Sequence, residues 1–345
     1  MIDIEMVVNL HVTERCNYRC TYCFGKWGLL QESSAETSAW ADTDEACRIM
    51  SDLADKFRLD RGPDCLIRFN FVGGEPALLP NIGDLIEYAR ETLKARVSYV
   101  SNGLMLMHRK FDAEWTVRNI DIVGISVDSS LPQTNLKIGR KTRSGDAFDL
   151  GKVADRIEAV RKAAQDRNVA APVIKVNTVV SELNVGEDFE NVLTAIAPDR
   201  WKILKMLPVY SSKTAISDDD FREFAREQRK FVPDRPDFKG VIITTEDNDE
   251  MTGSYAMVDP LARFFWYDDI PENGYKYSAP MTEVSVEDAW DEVPWDQQKF
   301  NARYTQLMPS VDLTEPQVAA AAVSSPTAAP QPVAEPTASR KPVHA

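Results

Sequence analysis

Long hydrophobic runs are missing from this sequence of 345 residues. No stretch approaches the ~18 apolar residues that a membrane-spanning helix needs, so we expect no transmembrane segment. The first nine residues also lack the basic stretch that opens a secretory signal, and they contain Asp3 and Glu5 instead. These absences predict a cytoplasmic protein without a membrane partner.

Cysteine is scarce, with five residues in the chain. Cys16, Cys20 and Cys23 lie close together, whereas Cys47 and Cys65 stand apart. Clustering of this kind in a reducing compartment indicates metal ligation rather than a framework of disulfides. We interpret the two isolated cysteines as small buried hydrophobic residues.

Basic residues are fewer than acidic residues. The chain has 40 Lys and Arg and 54 Asp and Glu, which gives a net charge of −14. An acidic surface repels nucleic acids and anionic membranes, so neither is an expected partner. A small, locally basic pocket is still compatible with this balance.

Strand-like and helix-like segments alternate over the first part of the chain, which predicts an α/β fold. The predicted strands cover residues 4–13, 66–72, 97–101, 120–127, 173–180 and 201–207. The predicted helices include residues 44–58, 82–94, 152–166 and 187–196. Six such units favour a partial (β/α)6 barrel with a parallel sheet over a complete eight-fold barrel.

Three regions are predicted along the chain. Residues 1–210 form the partial barrel, and residues 211–305 form a C-terminal extension that packs on it. The extension contains a charged amphipathic helix at residues 218–231. Residues 306–345 are rich in Ala and Pro and cannot bury enough surface to offset their ordering entropy, so we predict a disordered tail.

The three clustered cysteines have the spacing C-x3-C-x2-C and directly follow the first predicted strand. Their loop therefore lies at the carboxyl end of that strand, which is the functional end of β/α barrels. Thiolates are the usual ligands of iron–sulfur clusters, and three of them leave one iron of a [4Fe–4S] cluster open. A structural zinc site needs four protein ligands. His11 is the candidate for the fourth ligand, but it lies within the strand and not in the cysteine loop.

Three further motifs follow predicted strands. The tetrapeptide Gly73-Gly74-Glu75-Pro76 comes after the second strand, and paired glycines let a backbone approach a ligand closely. The dipeptide Asn102-Gly103, also a common turn pair, ends the third strand. Ser126 lies near the end of the fourth strand, and Arg140 lies in the next loop, where a surface position is an equally good interpretation from the residues alone.

Polar or cationic pairs at positions i and i+2 are embedded in four of the six apolar strands, so each pair shares one face of its strand. The pairs are Asn9 and His11, Arg68 and Asn70, Lys175 and Asn177, and Arg200 and Lys202. If these polar pairs faced the helices, they would interrupt the apolar layer between the sheet and the helices. We therefore expect the pairs to face the barrel lumen. Unpaired buried charges are costly, and up to four cations there match a polyphosphate held by charge-assisted hydrogen bonds. Solvated positions at strand ends are the alternative.

With these motifs the chain resembles the viperin-like radical S-adenosylmethionine enzymes of prokaryotes, over roughly residues 7–303. The resemblance is carried by Asn9-Leu10-His11, the cysteine motif with Phe24, the run from Arg68 to Pro76, Val100-Ser101-Asn102-Gly103, Ile138-Gly139-Arg140, Lys175-Val176-Asn177, Arg200-Trp201-Lys202 and Ser254-Tyr255. It implies conversion of CTP, UTP or GTP to the 3′-deoxy-3′,4′-didehydro analogue, started by a 5′-deoxyadenosyl radical that abstracts the C4′ hydrogen. Such a product terminates viral chains, so the implied biology is antiviral and directed at phage.

The resemblance also implies the cofactors and their contacts. A [4Fe–4S] cluster would be bound by Cys16, Cys20 and Cys23. S-adenosylmethionine would be contacted by Tyr22, Gly73, Gly74, Glu75, Asn102, Ser126 and Arg140. The nucleotide would be contacted by Asn9, Arg68, Asn70, Lys175, Asn177, Arg200, Lys202 and Tyr255, and the extension would complete this site. Tyr255 is a candidate proton donor to the leaving hydroxyl or, equally, a packing residue, and a flavodoxin or ferredoxin is the implied electron donor.

The sequence departs from the family pattern in three places. Animal viperins begin with an amphipathic membrane helix that is absent here, so we expect a soluble protein. Arg68 stands where they have Lys, which keeps the charge but changes the hydrogen-bond geometry. The Ala/Pro-rich tail has no counterpart.

Two other functions are compatible with part of the pattern. Radical enzymes that act on a peptide or a cofactor precursor usually have additional cysteines near the C-terminus, and no cysteine follows Cys65. A non-enzymatic iron–sulfur or zinc module for redox sensing or scaffolding would leave the Gly-Gly-Glu-Pro motif and the strand cations without a purpose. The preferred base stays open, and we place its selection in the loop 246–257.

Overall fold

The computed structural model describes residues 5–26, 38–209, 212–231, 240–267 and 274–305. The chain divides into two units, Met1–Leu307 and Met308–Ala345. All of the second unit lies outside the described residues, and so does the predicted disordered tail over residues 306–345. Within the described residues, no helix combines the length and the apolar character needed to cross a membrane.

Eight strands of the described residues form one sheet in which every neighbouring pair is parallel. The strands are β1 (Met6–His11), β2 (Ile67–Val72), β3 (Arg96–Ser101), β4 (Ile122–Ser126), β5 (Val173–Val180), β6 (Arg200–Lys205), β7 (Ile242–Glu246) and β8 (Ala256–Val258). Their order is β7-β6-β5-β4-β3-β2-β1-β8. The predicted partial barrel is confirmed, and one strand from the C-terminal region extends it at each edge. A short antiparallel ribbon pairs β9 (Phe265–Trp266) with β10 (Lys276–Tyr277).

Helices occupy the connections between the strands. They are α1 (Thr43–Arg61), α2 (Ile82–Glu87), α3 (Leu104–Met107), α4 (Ala113–Asn119), α5 (Pro132–Ile138), α6 (Leu150–Asp166), α7 (Glu190–Ile196), α8 (Asp218–Phe231), α9 (Asn248–Met251), α10 (Val286–Asp291) and α11 (Gln297–Thr305). Two short 3₁₀ helices lie at Ala39–Ala41 and Pro76–Leu78. The helix predicted over residues 82–94 is shorter, because the α-helical pattern of α2 gives way to a π-helical turn at Tyr88–Thr92.

Helix α1 shows how the outer layer follows from the sequence. The Asp42 side chain accepts a hydrogen bond from the Glu45 amide and caps the first turn. Apolar residues spaced three or four apart form one buried face: Ala46, Ile49, Met50, Leu53, Ala54 and Phe57. Gly62, with φ +108°, ends the helix. This apolar face packs into the same core as the outer faces of the strands.

The edges of the sheet meet through side chains. Strands β6 and β8 are six strand spacings apart in the sheet order, and six spacings of about 4.8 Å would be roughly 29 Å in a flat sheet. The Nζ of Lys202 in β6 nevertheless lies 2.6 Å from the hydroxyl of Tyr255, the residue before β8. The sheet therefore curls until its two edges face each other, and its concave side encloses a lumen.

The cysteine loop after β1 is fastened to the end of α5. The Arg19 amide donates to the Gly139 carbonyl at 3.1 Å, and the Thr21 amide donates to the Ile138 carbonyl at 2.8 Å. Gly139 has φ +90°, and a Cβ on it would lie 2.2 Å from the Arg19 carbonyl oxygen. Both the backbone conformation and the available space therefore require glycine here.

We predict that G139A destabilises the protein more than G145A. Gly145 has φ +93° but nothing within 4 Å of where its Cβ would lie, so its substitution carries only the conformational cost of about 1–2 kcal/mol. The substitution at Gly139 adds an overlap with backbone, which costs typically about 1–3 kcal/mol more. Urea unfolding of the two variants measures the difference, and equal losses would contradict a tight fit between these loops.

Candidate functional site

A cavity of about 320 Å³ occupies the concave side of the sheet, a volume typical of small-molecule sites. Alternate residues of β1, β2, β4 and β5 line it, as the two-residue period of strands requires, and β3 and β6 contribute further residues. All predicted site residues except Glu75 contribute to its lining: Asn9, Cys16, Cys20, Tyr22, Cys23, Arg68, Asn70, Gly73, Gly74, Asn102, Ser126, Arg140, Lys175, Asn177, Arg200, Lys202 and Tyr255. The structure thus brings the two predicted sets of contacts into one space.

The cavity has two chemically different ends. Cys16, Cys20 and Cys23 lie on the loop at the carboxyl end of β1. Arg68 and Arg200 instead lie at the first or second residue of their strands, near the amino end of the sheet. Because all eight strands are parallel, the thiols and the cations mark opposite ends of one cavity.

The cysteine loop offers donors to the Cys16 sulfur. The Tyr18 amide lies 3.4 Å from this sulfur, and the Asn102 side-chain amide lies 3.6 Å from it. Hydrogen bonds of this kind tune the potentials of iron–sulfur clusters. All three thiols are free of disulfides, so the donor set fits a cluster that takes three thiolates.

Burial raises the pKa of the Cys16 thiol to about 11 and that of the Cys20 thiol to about 12. These thiols therefore release their protons only when a metal replaces them. Among the described residues, no three His, Cys, Asp or Glu side chains are grouped around a single metal position. A cubane cluster binds each thiolate on a different iron and does not need them to meet at one point.

Arg140 is buried next to the cysteine loop and is held there by several contacts. Its guanidinium donates to Asp128 at 2.7 Å and to the Ser126 carbonyl at 2.6 Å, and it lies over the rings of Tyr18 and Phe148. Neighbouring Asp128 raises the pKa of Arg140 against the effect of burial, so the guanidinium stays charged. Its Nε has no partner among the described residues, which leaves one buried donor for a ligand. The surface alternative for Arg140 is thereby excluded.

Tyr22 is held by the same carboxylate as Arg140, because its hydroxyl donates a hydrogen bond to Asp128 at 2.5 Å. Its ring packs with Ile138 and Met206 at the cavity wall. Asp128 also accepts from the Val179 amide at 2.8 Å. One buried carboxylate therefore joins the cysteine loop, the end of α5 and strand β5.

Glu75 lies fully buried behind the cavity lining. Its carboxylate accepts from the Ser101 hydroxyl at 2.9 and 3.0 Å, from the Asn102 amide at 2.9 Å and from the Ala77 amide at 3.3 Å. Burial raises the pKa of this carboxyl to about 7, against the lowering effect of these hydrogen bonds. In this structure the group orients Asn102, whose side chain in turn donates to Asn17 at 2.7 Å.

The middle of the cavity is lined by a row of connected polar side chains. Arg68 donates to Ser98 at 3.0 Å, and Ser98 donates to the Asn70 oxygen at 2.8 Å. Asn70 donates to Asn9 at 2.8 Å, and Asn9 donates to the Ala256 carbonyl at 3.2 Å. The row crosses four neighbouring strands and fixes the orientation of both asparagine amides.

Two of the four predicted lumenal cations have carboxylate partners. Arg68 pairs with Glu5 at 2.6 Å, and Lys202 pairs with Glu246. These carboxylates lie far away in sequence, but Glu5 precedes β1, the neighbour of β2, and Glu246 ends β7, the neighbour of β6. They offset the cost of burying the two cations.

Lys175 and Arg200 differ from these pairs, since neither forms an ion pair or hydrogen bond with another described side chain. Burial, and then the neighbouring cations Lys202 and Arg68, hold the pKa of Lys175 well below its usual range. Burial also lowers the pKa of Arg200, with Arg68 adding to the effect. Asn177, beside them, has a buried Oδ1 without a partner among the described residues. This end of the cavity is built to receive an anion with hydroxyl donors.

The Tyr255 hydroxyl stands between two charged groups. It accepts a hydrogen bond from Lys202 at 2.6 Å and donates one to Glu246 at 2.6 Å. His11, at the carboxyl end of β1, packs edge-on against Phe265 with ring centroids 5.0 Å apart. Burial lowers the pKa of His11 to about 3, so it remains neutral.

Three acidic residues of the site were missed in the sequence. Glu5 is an even number of residues away from Asn9 and His11, so its side chain is on the same face of the first strand. Continuing the alternation from Asn9 back by four residues would have identified it. Asp128 lies two residues after Ser126 and follows from the same rule. Glu246 gave no such signal, because β7 has no second charged residue to mark its inward face.

Comparison with known proteins agrees with this geometry. Residues 10–195 match the model of the Radical SAM superfamily. The S-adenosylmethionine-dependent nucleotide dehydratase of Psychrobacter lutiphocae is 35% identical over 303 residues, which cover 87% of this chain and 95% of that protein. The protein of the same name from a Fibrobacter species is 35% identical over 320 residues, covering 87% and 88%.

Among solved structures, Streptococcus suis SuiB bound to precursor peptide SuiA matches with a TM-score of 0.57, covering 88% of this chain and 67% of that chain. Its sequence identity of 16% shows a common fold alone.

These matches confirm the resemblance inferred from the motifs. Use of S-adenosylmethionine and a [4Fe–4S] cluster is general in the superfamily whose model this chain matches. The chain belongs to the radical SAM superfamily and, within it, to the family of the S-adenosylmethionine-dependent nucleotide dehydratases.

Proposed function

We propose that the chain converts a nucleoside triphosphate, namely CTP, UTP or GTP, into its 3′-deoxy-3′,4′-didehydro analogue. The observation that carries this proposal is one cavity with three thiols at one end and unpaired cations at the other. The names of the curated relatives support the same reaction class. A product without a 3′-hydroxyl cannot be extended by a polymerase, so we infer an antiviral role against phage.

Cys16, Cys20 and Cys23 would hold the [4Fe–4S] cluster. With S-adenosylmethionine bound, this cluster supplies a one-electron reductive cleavage that leads to hydrogen abstraction from the substrate. Arg140 would donate its spare Nε–H to S-adenosylmethionine, with Tyr22, Ser126, Asn102 and the Gly73-Gly74 backbone lining the same space. Glu75 would act mainly by orienting Asn102.

Lys175 and Arg200 would bind the triphosphate. Two of the four lumenal cations already have carboxylate partners, so the charge available to a ligand is concentrated on these two side chains. Asn177 would accept a hydrogen bond from a ribose hydroxyl through its Oδ1, and the row of Asn9 and Asn70 would position the sugar. The wall formed by Met251, Tyr255 and Met257, within the C-terminal region 211–305, would complete this site.

The reaction removes one hydrogen atom from C4′ and the hydroxyl from C3′, and it needs one proton and one electron to give water and the double bond. A second electron is consumed in cleaving the cofactor. Tyr255 would give the proton, because Lys202 donates to its oxygen and would replace the proton once lost. Its alternative role is to pack on the ribose or base.

We predict that one triphosphate strongly stimulates cofactor cleavage. The test is anaerobic reconstitution with dithionite, S-adenosylmethionine and each of CTP, UTP, GTP and ATP separately, followed by assay of 5′-deoxyadenosine and nucleotide mass. The expected product is lighter by one water. C20A should lose both iron and activity, whereas C47A should keep both.

Cleavage without nucleotide dependence would leave the superfamily chemistry intact and remove the proposed substrate. No cleavage by a fully loaded cluster would contradict the enzymatic function itself.

We predict that nucleotide binding weakens as pH rises, through Lys175. The folded chain holds its pKa well below the usual 10.5, and a bound polyphosphate favours the charged form, so binding takes up a proton. K175M should lose this proton uptake and at least about tenfold in affinity, or ~1.4 kcal/mol. Calorimetry in two buffers of different ionisation enthalpy measures both quantities, with K94M as control.

K175M should fold at least as stably as the parent, because a Lys whose pKa falls on folding destabilises the folded chain below its ordinary pKa. Unchanged proton uptake in K175M would show that another group titrates.

We predict that Y255F separates hydrogen abstraction from dehydration. The ring remains while the hydroxyl between Lys202 and Glu246 is lost, so 4′-deuterated nucleotide should still label 5′-deoxyadenosine. Dehydrated product should fall by about 10²-fold or more, the usual effect of losing a general acid. Y267F, which removes a neighbouring hydroxyl bonded to the Asn248 carbonyl, should keep the two yields coupled. A parallel loss of both products in Y255F would assign Tyr255 to packing.

A further inference from the structure

Two segments beside the thiols contain basic but no acidic residues, in a chain whose net charge is −14. Residues 15–26, which form the cysteine loop, contain Arg15, Arg19 and Lys26. Residues 136–145, at the end of α5, contain Lys137, Arg140, Lys141 and Arg143. Arg140 is buried on Asp128, and the other six side chains are exposed.

The two segments form one surface. The hydrogen bonds of Arg19 and Thr21 with Gly139 and Ile138 place the segments side by side. The Arg19 guanidinium also donates to the carbonyls of Cys16 and Tyr18, at 2.6 and 2.8 Å. We call Arg15, Arg19, Lys26, Lys137, Lys141 and Arg143 the basic face.

The basic face differs in its pairing from exposed cations on helices α1 and α8. On α1 and α8, Arg48, Arg226 and Lys230 each pair with a carboxylate one turn away. Within the described residues, Arg15, Arg19, Lys137, Lys141 and Arg143 form no ion pair. Like charges held close without counterions repel each other, and a surface of this kind is typical of a site for a partner of opposite charge.

The position of the basic face indicates what the partner does. The face lies on the loop that bears the thiols and on the adjoining end of α5, at the carboxyl end of the sheet. The substrate cations Lys175 and Arg200 lie at the far end of the cavity, so these surface charges have no role in binding the triphosphate. What must reach the thiol end from outside is an electron.

We propose that the basic face docks an acidic, low-potential one-electron carrier protein that reduces the cluster. The inference rests on the proposed function, which consumes one electron for each cofactor molecule cleaved and a second for each sugar dehydrated. In each encounter the carrier is oxidised by one electron and the cluster is reduced by one, with no proton transferred. Electron-transfer encounters of this kind use small, charge-steered interfaces.

The test compares two double charge reversals of the full, cluster-loaded chain. K137E/K141E changes the basic face without touching Arg19 or the thiols. K94E/R118E is the matched control, because Lys94 and Arg118 are exposed, form no ion pair with a described residue and precede β3 and β4 at the opposite end of the barrel. Lys137 and Arg118 even occupy the same place in their helices, the last turn.

The measured quantity is the rate of 5′-deoxyadenosine formation with reduced acidic flavodoxin as the sole reductant, over a range of salt concentrations. We expect K137E/K141E to lose at least about tenfold in the apparent second-order rate for the flavodoxin at low salt. The parent rate should fall as salt rises, and that of K137E/K141E should not. K94E/R118E should stay within about twofold of the parent, and dithionite should drive all three proteins equally.

Equal flavodoxin rates in the two double variants would overturn the proposal, and so would a loss that dithionite reproduces. A parent protein inactive with dithionite would instead refute the proposed function, so the two failures are distinguishable. Binding of a single-stranded RNA probe by the parent but not by K137E/K141E, with unchanged flavodoxin rates, would assign the face to nucleic acid and also overturn it.

Discussion

The contact of Lys202, Glu246 and Tyr255 closes the sheet, and the cavity depends on it. Lys202 belongs to β6, Glu246 ends β7, and Tyr255 precedes β8 at the opposite edge. This contact joins the two edges of the parallel sheet directly. The same three groups lie in the nucleotide end of the cavity, so the interaction that shapes the lumen also supplies part of its chemistry.

Charge balance explains why such a lumen is stable before a ligand arrives. Four buried cations without counterions would repel one another at a cost that a domain of marginal stability cannot easily bear. Glu5 and Glu246 neutralise two of them, and burial lowers the pKa of Lys175, the third, which reduces the cost of holding it in the lumen. The charge available to a ligand therefore lies on Lys175 and Arg200, and a polyphosphate bound beside them would favour the charged form of Lys175.

Much of this architecture is readable in the sequence, and what is not has a physical reason. The six strands and the lumenal pairs, such as Arg68 and Asn70, follow from local alternation. The cysteine spacing is equally local. Glu246 and the strand β8 are not readable, because β8 has three residues and owes its place to pairing with β1. The burial of Glu75 behind the cavity likewise depends on where β3 ends, which the tetrapeptide around it does not encode.

The distribution of charge along the cavity axis has a further consequence. Exposed basic residues lie on the loops at the thiol end, and the far end holds the unpaired cations Lys175 and Arg200 on the inside. A nucleotide triphosphate and an acidic carrier are both anions, so a protein with a single basic region would let them compete. Placing the two regions at opposite ends of one parallel sheet, with an acidic surface elsewhere, allows both to be attracted at once. The net charge of −14 then suppresses non-specific contact with nucleic acid, the other abundant polyphosphate that either region would attract.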